Sequence, residues 1–357
     1  MLNEMNGYGN LGMADYPKSE FERRWKKTNE LMHENEIDLL FLSHWANVAY
    51  FSGFRQTYTS DVSYIFVLPR DAMPVLVVPL EMKANIENMT WISDVRYYGG
   101  DVLGWKDSNS QPDPVHIVRE LFKEHSGQPK TLGVELEGIS GGGGMINYAP
   151  QILEAVRNDI SGLGVVDCAD LVWKMRKIKS PLEVEYARKA AEITSKAFKV
   201  GLESLREGMT ERDLARVVYS AMLDEGAVDT PSIMSLMCRS DRYTHDDSRP
   251  TNRRIGKGEI VNLDGGATYR GYWCDISRQA CVGEPSKKQR ELYNIARMAT
   301  EAGIETVKPG VTAHEVCEAA FNVVRKAGFG ENIISPGIGH ALGLQIHEPP
   351  WISYNIH

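Results

Sequence analysis

Blocks of apolar and polar positions divide this chain into two differently patterned halves. Over residues 19–36, Phe21, Trp25, Leu31 and Met32 recur at helical spacing among charged residues, which predicts an amphipathic helix. Residues 37–43 (IDLLFLS) form a short continuous apolar run, the pattern of a buried strand. Residues 47–53 predict a helical turn closed by Gly53, and residues 64–68 and 75–79 predict two strands joined by the Pro-bounded turn PRDAMP. A helix over 115–125 and a strand over 131–136 follow. Helices alternating with strands make residues 17–168 a small α/β domain behind a loose tail over residues 1–16. Asp101, Asp107 and Asp113 read as loop residues. The glycine run Gly141–Gly144 reads as a flexible loop, because no Lys-Ser/Thr follows it to complete a phosphate cradle.

Residues 169–180 read as a linker, with VWKMRKIKSP over residues 172–181 a basic connector. Pro181 stands at a helix start, where its missing N–H costs nothing, and a helix is predicted over 182–205. Beyond it the chain repeats itself. GMTERDLARVVYSAMLDEGA (208–227) and GVTAHEVCEAAFNVVRKAGF (310–329) match without a gap at an offset of 102. Thr210 with Asp213 and Thr312 with Glu315 have capping-box spacing, and Gly226 and Gly328 stand where helices end. A further helical segment precedes each copy, over 182–205 and 289–307. Residues 181–357 therefore read as a second domain, α+β, built from two copies of helix–helix–strands. His245 and His347 each lie nineteen residues after the closing glycine of their copy. A duplicated fold would set them symmetrically about a central cleft, as paired donors to a substrate.

The densest chemistry lies in VNLDGGATYRGYWCDISR, residues 261–278, where Asp264 and Asp275 sit eleven residues apart. A β-hairpin turning at Tyr269-Arg270 would set the two carboxylates opposite each other, with Cβ atoms ~5 Å apart. Two such carboxylates need a cation, a shared proton or strong donors. A divalent metal answers this. So does an arrangement in which one Asp caps the turn and the other pairs with Arg270 or Arg278, and this stretch leaves both open. His340, in PGIGHALGLQIHEPP, adds an imidazole, so that Asp264, Asp275 and His340 make a plausible, incomplete oxygen-rich metal set.

Composition narrows the field. The formal net charge is −8, which argues against a nucleic-acid or anionic-membrane partner. Five scattered cysteines without a CxxC fit a reducing compartment and neither a disulfide framework nor a zinc–thiolate site. No apolar run approaches the ~18 residues of a spanning helix, and the expected address is the cytoplasm.

Jointly these residues resemble the pita-bread metallopeptidases, which include methionine aminopeptidase, Xaa-Pro aminopeptidase and prolidase, with creatinase as a relative without metal. The resemblance covers essentially the whole chain. NVAYFSGF (47–54) is similar to a signature of the creatinase-type N-terminal domain, and RKIKSPLEVE (176–185) to the family's interdomain segment. Asp264 and Asp275 match the first two metal ligands at the family's spacing. Gly339-His340 with Gly343 matches the ligand-histidine motif, His347-Glu348-Pro349 the H-E-x-P motif, and His245 the histidine that precedes the first aspartate. The resemblance implies a creatinase-like α/β domain before a pita-bread domain with an internal pseudo-twofold repeat. It further implies two divalent ions (Mn, Co or Zn) held by two Asp, one His and two Glu, with a bridging water as nucleophile and His245 and His347 stabilising the tetrahedral intermediate.

The sequence departs from the pattern in two places. No Glu follows Glu348, so the two Glu ligands are expected beyond residue 357, the C-terminus reads as truncated, and weak metal binding or instability is expected. Pro336 stands four residues before His340, where proline-specific members often carry His. The leading reading is a metal-dependent exopeptidase acting on Xaa-Pro or similar short peptides, as a homodimer. A C–N hydrolase or lyase for a small molecule and a metal-free binding module are the alternatives.

Overall fold

The apolar run at residues 37–43 becomes the middle of a sheet. In the computed structural model, residues 16–54, 64–86, 89–99, 114–125, 130–135, 162–227, 232–237 and 250–354 are described, with the isolated positions 154 and 158. The chain divides into two compact units, Met1–Ile178 and Lys179–His357.

The first unit runs α1 (Lys18–Glu34), β1 (Leu39–Leu42), α2 (Trp45–Ser52), β2 (Ile65–Pro69), β3 (Val75–Pro79), the single turn α3 (Lys83–Ile86), β4 (Asp94–Tyr98), α4 (Pro114–His125), β5 (Thr131–Val134), β6 (Gly164–Asp167) and α5 (Ala169–Lys177). Its six described strands form one mixed sheet in the order β4-β3-β2-β1-β5-β6. β1 lies antiparallel to β2 and parallel to β5. Every residue of β1, β2 and β3 is buried, which is why these strands read as unbroken apolar runs. One face packs Leu39, Phe41, Ile65, Val67, Val75 and Val77 in a core with Ile117, Val118, Leu121 and Phe122 of α4. β4 and β6 carry no comparable pattern because they are the partly exposed outer strands. The basic stretch expected as a connector is largely α5. Its Lys174, Arg176 and Lys177 occupy the last turn, where cations complement the helix dipole.

The NVAYFSGF segment is a structural knot. Buried Asn47 gives its amide N–H to the buried carboxylate of Glu135 and accepts from Arg176 Nη1 at 2.5 Å. Glu135 also accepts from the backbone N–H groups of Ser43 and His44, at 2.8 and 3.0 Å, just before α2. Burial pushes the Glu135 carboxyl up, while Asn47 and these amides oppose the shift. Tyr50 stacks under the Arg24 guanidinium at 3.9 Å and gives its carbonyl to Arg24 Nη1 at 2.5 Å.

The second unit runs α6 (Pro181–Ser204), α7 (Glu211–Asp224), β7 (Ser232–Met237), β8 (Ile260–Gly266), β9 (Thr268–Tyr269), β10 (Tyr272–Trp273), β11 (Ile276–Cys281), α8 (Lys287–Thr306), α9 (Ala313–Lys326), β12 (Gly337–Ala341) and β13 (Glu348–Ser353). The repeat is realised residue for residue: α7 and α9 are both fourteen residues long and lie 102 positions apart. Both expected capping boxes form, at Thr210/Asp213 and Thr312/Glu315. Both helices close in the same Schellman motif, Ala227 N–H to Met222 O and Gly226 N–H to Leu223 O in one, Phe329 N–H to Val324 O and Gly328 N–H to Arg325 O in the other. Ser180 and Glu183 form a further capping box at the start of α6, and Glu183 also accepts from the Tyr272 hydroxyl at 2.5 Å. α6 and α7 cover a sheet of order β11-β8-β7, with Ile193, Phe198, Leu214, Val218, Val261 and Leu263 in the shared core.

Candidate metal centre

The hairpin that carries the two aspartates turns one residue later than the sequence pattern suggests. Tyr269 pairs with Tyr272 and Thr268 with Trp273, so the two-residue loop is Arg270-Gly271 and not Tyr269-Arg270. Both loop residues have positive φ, 50° and 83°, as a type I′ turn requires, and Gly271 takes that conformation without a Cβ penalty. Moving the turn by one residue moves the pairing by two. Asp264 therefore faces Ser277, and Gly265 faces Ile276. The two carboxylates are diagonal neighbours, not the directly opposed pair expected.

They still act on each other. The Asp264 carboxyl is pushed up to about 6, first by burial and then by the charge of Asp275. The Gly265 N–H, the charge of His340 and the Ser277 hydroxyl pull it partly back. Ser277 Oγ also lies 2.9 Å from Asn262 Oδ1, two residues before Asp264 on β8, so the Asp264 and Asn262 oxygens compete for its single proton.

His340 comes from β12, opposite Trp351 of β13. Its Nδ1 lies 3.0 Å from the Ala341 carbonyl, and its Nε2 lies 3.2 Å from Asp275 Oδ2. A carbonyl only accepts, so Nδ1 carries a proton. In the neutral ring Nε2 would then turn a lone pair toward a carboxylate, which needs a proton or a cation between them. Without metal the proton serves: the hydrogen bond to Asp275 raises the His340 pKa against the effect of burial. His347 stands edge-on to His340 with ring centroids 4.3 Å apart, and stacks against Trp351 at 6.0 Å. Burial and then the charge of His340 push its pKa down.

One donor atom from each of Asp275, His340 and His347 lies within 4.8 Å of the others. Carboxylate oxygen with imidazole nitrogen is a donor set that suits a divalent metal ion. An imidazole whose far N–H is committed to a backbone carbonyl is oriented as a metal ligand is. The residues present therefore fit a divalent ion, with Asp264 close enough to couple to both Asp275 and His340. Among the described residues Asp275 forms an ion pair with His340, while Arg278 donates to the Ser277 carbonyl and the Arg270 guanidinium lies over the rings of Tyr186 and Tyr269.

Asp264, Asp275, His340 and His347 come together, whereas His245 lies outside the described residues, as do Asp101, Asp107, Asp113 and Gly141–Gly144. Pro336 is exposed, and its carbonyl accepts from the Tyr354 N–H at 3.0 Å. Sequence reasoning missed Trp351, which touches both imidazoles, because its place opposite His340 exists only once β12 and β13 are in register. It also missed Ser277 and Asn262, whose only sequence signal is their nearness to the two aspartates.

A six-stranded α/β unit followed by a duplicated α+β unit with this donor cluster defines a creatinase-type domain joined to a pita-bread domain. Residues 24–178 match the creatinase/prolidase N-terminal domain, and residues 185–357 match metallopeptidase family M24. The chain is 30% identical over 333 residues to the Xaa-Pro dipeptidase of Pyrococcus furiosus, covering 93% of this chain and 85% of the relative. It is 29% identical over 328 residues to the Xaa-Pro dipeptidase of Lactobacillus delbrueckii subsp. lactis, covering 92% and 83%. Among solved structures it is similar to the prolidase from Pyrococcus horikoshii OT3, at 27% identity and a TM-score of 0.76, over 94% of this chain and 86% of that one. The chain belongs to metallopeptidase family M24.

Proposed function

We propose that this protein is a metal-dependent exopeptidase that cleaves Xaa-Pro dipeptides or similar short peptides. The observation that carries the reading is the approach of His340 Nε2 to Asp275 Oδ2 at 3.2 Å, with His347 in the same cluster, on a fold shared with Xaa-Pro dipeptidases. Asp264, Asp275 and His340 are the residues assigned to hold the metal, in a site for two divalent ions. When bound, the ions polarise the scissile carbonyl and lower the pKa of the attacking water. The chain's own residues do the rest. Asp264 gives up the proton that burial and Asp275 help it keep. The Ala341 carbonyl holds the His340 ring through its Nδ1–H, which leaves Nε2, beside Asp275, to face the ion. His347, kept neutral by its lowered pKa, has one N–H to offer the oxygen that gains charge, with His245 assigned the matching role from the other copy of the repeat. The setting assigned is the reducing cytoplasm, on the five scattered cysteines without a CxxC.

The test is hydrolysis of Xaa-Pro dipeptides and Xaa-Pro-Yaa tripeptides with Mn, Co or Zn, with and without chelator, beside Asp264→Ala. Chelator-sensitive cleavage that is absent in Asp264→Ala is expected, and the dipeptide-to-tripeptide ratio separates dipeptidase from aminopeptidase. The exposed Pro336, which offers no side-chain donor, favours a second reading, a C–N hydrolase or lyase acting on a small molecule. Bound metal with no peptide cleavage would move the assignment there.

A further inference from the structure

Two motifs remain without a role: the lysine of the RKIKS segment and the glutamate that follows His347. They meet. Lys179 Nζ donates to Glu348 Oε2 at 3.1 Å, with side-chain exposures of only 17% and 2%. A pair this buried is uncommon without a reason, since desolvation of both charges offsets most of their attraction.

The reason lies in the strand that Glu348 begins. β13 opens Glu348-Pro349-Pro350, and neither proline has an N–H to give the ladder. His340 pairs with Trp351 and Ala341 with Glu348, so the two prolines fall in a break of register. The backbone ladder is therefore weakest directly beside His347. The Glu348 side chain supplies the missing ties. Oε1 accepts from the Gln345 N–H at 3.1 Å, and Oε2 is held by Lys179. The loop is closed further by Gly343 N–H to Gln345 O at 3.0 Å, and is fastened to β10 by Trp273 N–H to Gly343 O at 2.8 Å. Gly343 is shaped to this arrangement: a Cβ there would lie 2.6 Å from both oxygens of Glu348. The carboxylate thus fills the inside of the loop whose last residue is His347.

We propose that Lys179 and Glu348 are a positioning pair for the metal centre, holding residues 342–347 so that His347 stays against His340 and Asp275. The functional side of this inference rests on the reading of that cluster as a metal centre. The positional side does not.

The test separates positioning from simple charge balance. Lys179→Met alone strands a buried carboxylate and damages the fold for that reason. The double variant Lys179→Met/Glu348→Leu removes both charges together, which folds tolerate far better. In the metal-free 357-residue chain, the ring resonances of His340 and His347 report their mutual placement and that of Trp351. The double variant is expected to melt near the wild type yet show displaced His347 ring resonances. Its Co(II) visible absorption should change, and kcat on an Xaa-Pro dipeptide should fall about 10- to 100-fold with KM little altered. Lys179→Arg, which keeps the donor, should recover part of kcat. Wild-type ring resonances in the double variant would overturn the proposal. Should the double variant fail to fold, Glu348→Ala, which removes the acceptor of both ties, carries the test, and unmoved ring resonances there overturn it equally. If the wild type binds no Co(II) and cleaves no dipeptide, the metal reading falls, and the metal-free ring resonances still decide the positioning pair.

Discussion

Asp264 is the residue with the clearest pH signature. Its carboxyl titrates at about 6 in the fold, against an ordinary value of 3.8. A raised folded pKa means that the stability it contributes is fully present below the ordinary value and is lost as pH rises through about 6. The metal-free protein should therefore lose melting temperature across this window, and Asp264→Asn should remove that part of the decline. Thermal melts in chelator at stepped pH values check this. Asp275→Asn removes the second cause of the shift and should move the decline to lower pH. Metal binding has the opposite slope, because the cation competes with the same proton. Co(II) affinity should be markedly weaker at about pH 5 than at about pH 7 in equilibrium titrations. Gly266 marks a different kind of sensitivity. A Cβ there would stand 2.0 Å from the Cys274 carbonyl oxygen, next to Asp275. Gly266→Ala should cost about 3 kcal/mol by denaturant unfolding, and should weaken metal binding in whatever protein remains folded.

Among elements, the hairpin turn and the repeated helices are the informative cases. The type I′ turn at Arg270-Gly271 sets which residue faces Asp264. Gly271→Ala forces an L side chain into positive φ and should cost about 1 kcal/mol by chemical denaturation. Because the turn sets register, the loss should appear in Co(II) affinity as well as in stability. The caps of α7 and α9 give an internal control, since the same Thr–carboxylate box closes both copies. Thr210→Ala and Thr312→Ala should each destabilise by about 1 kcal/mol.

Among the described residues, one core lies around β1–β3 and α4 and another around α6, α7 and β8. All the residues of the candidate centre belong to the second unit. Metal that binds only the folded state should stabilise the protein by about 2.7 kcal/mol at a hundredfold excess over Kd. Calorimetry with and without metal, beside Asp264→Ala, distinguishes this from a general salt effect, which the variant would keep.

Much of this architecture is written locally. The continuous apolar runs of β1 to β3, the helical spacing of α1 and α4, and the caps that bound α7 and α9 all depend on neighbours within a few residues. So does the repeat, and with it the division into an α/β and an α+β half. Asp264, Asp275, His340 and His347 could be picked out for the same reason, as carboxylates and imidazoles in short apolar or glycine-bracketed contexts. What lay beyond the sequence depends on distant segments meeting. β4 and β6 are recognisable only as the outer strands of a sheet that others nucleate. The pairing of Asp264 with Ser277 turned on one residue's difference in turn position, which sequence periodicity cannot resolve. The approach of His340 to Asp275, the Trp351 ring beside both imidazoles and the reach of Lys179 to Glu348 join segments far apart in the chain. Local propensity chooses the elements, but burial and register choose which side chains share a site, and only the packed chain sets those.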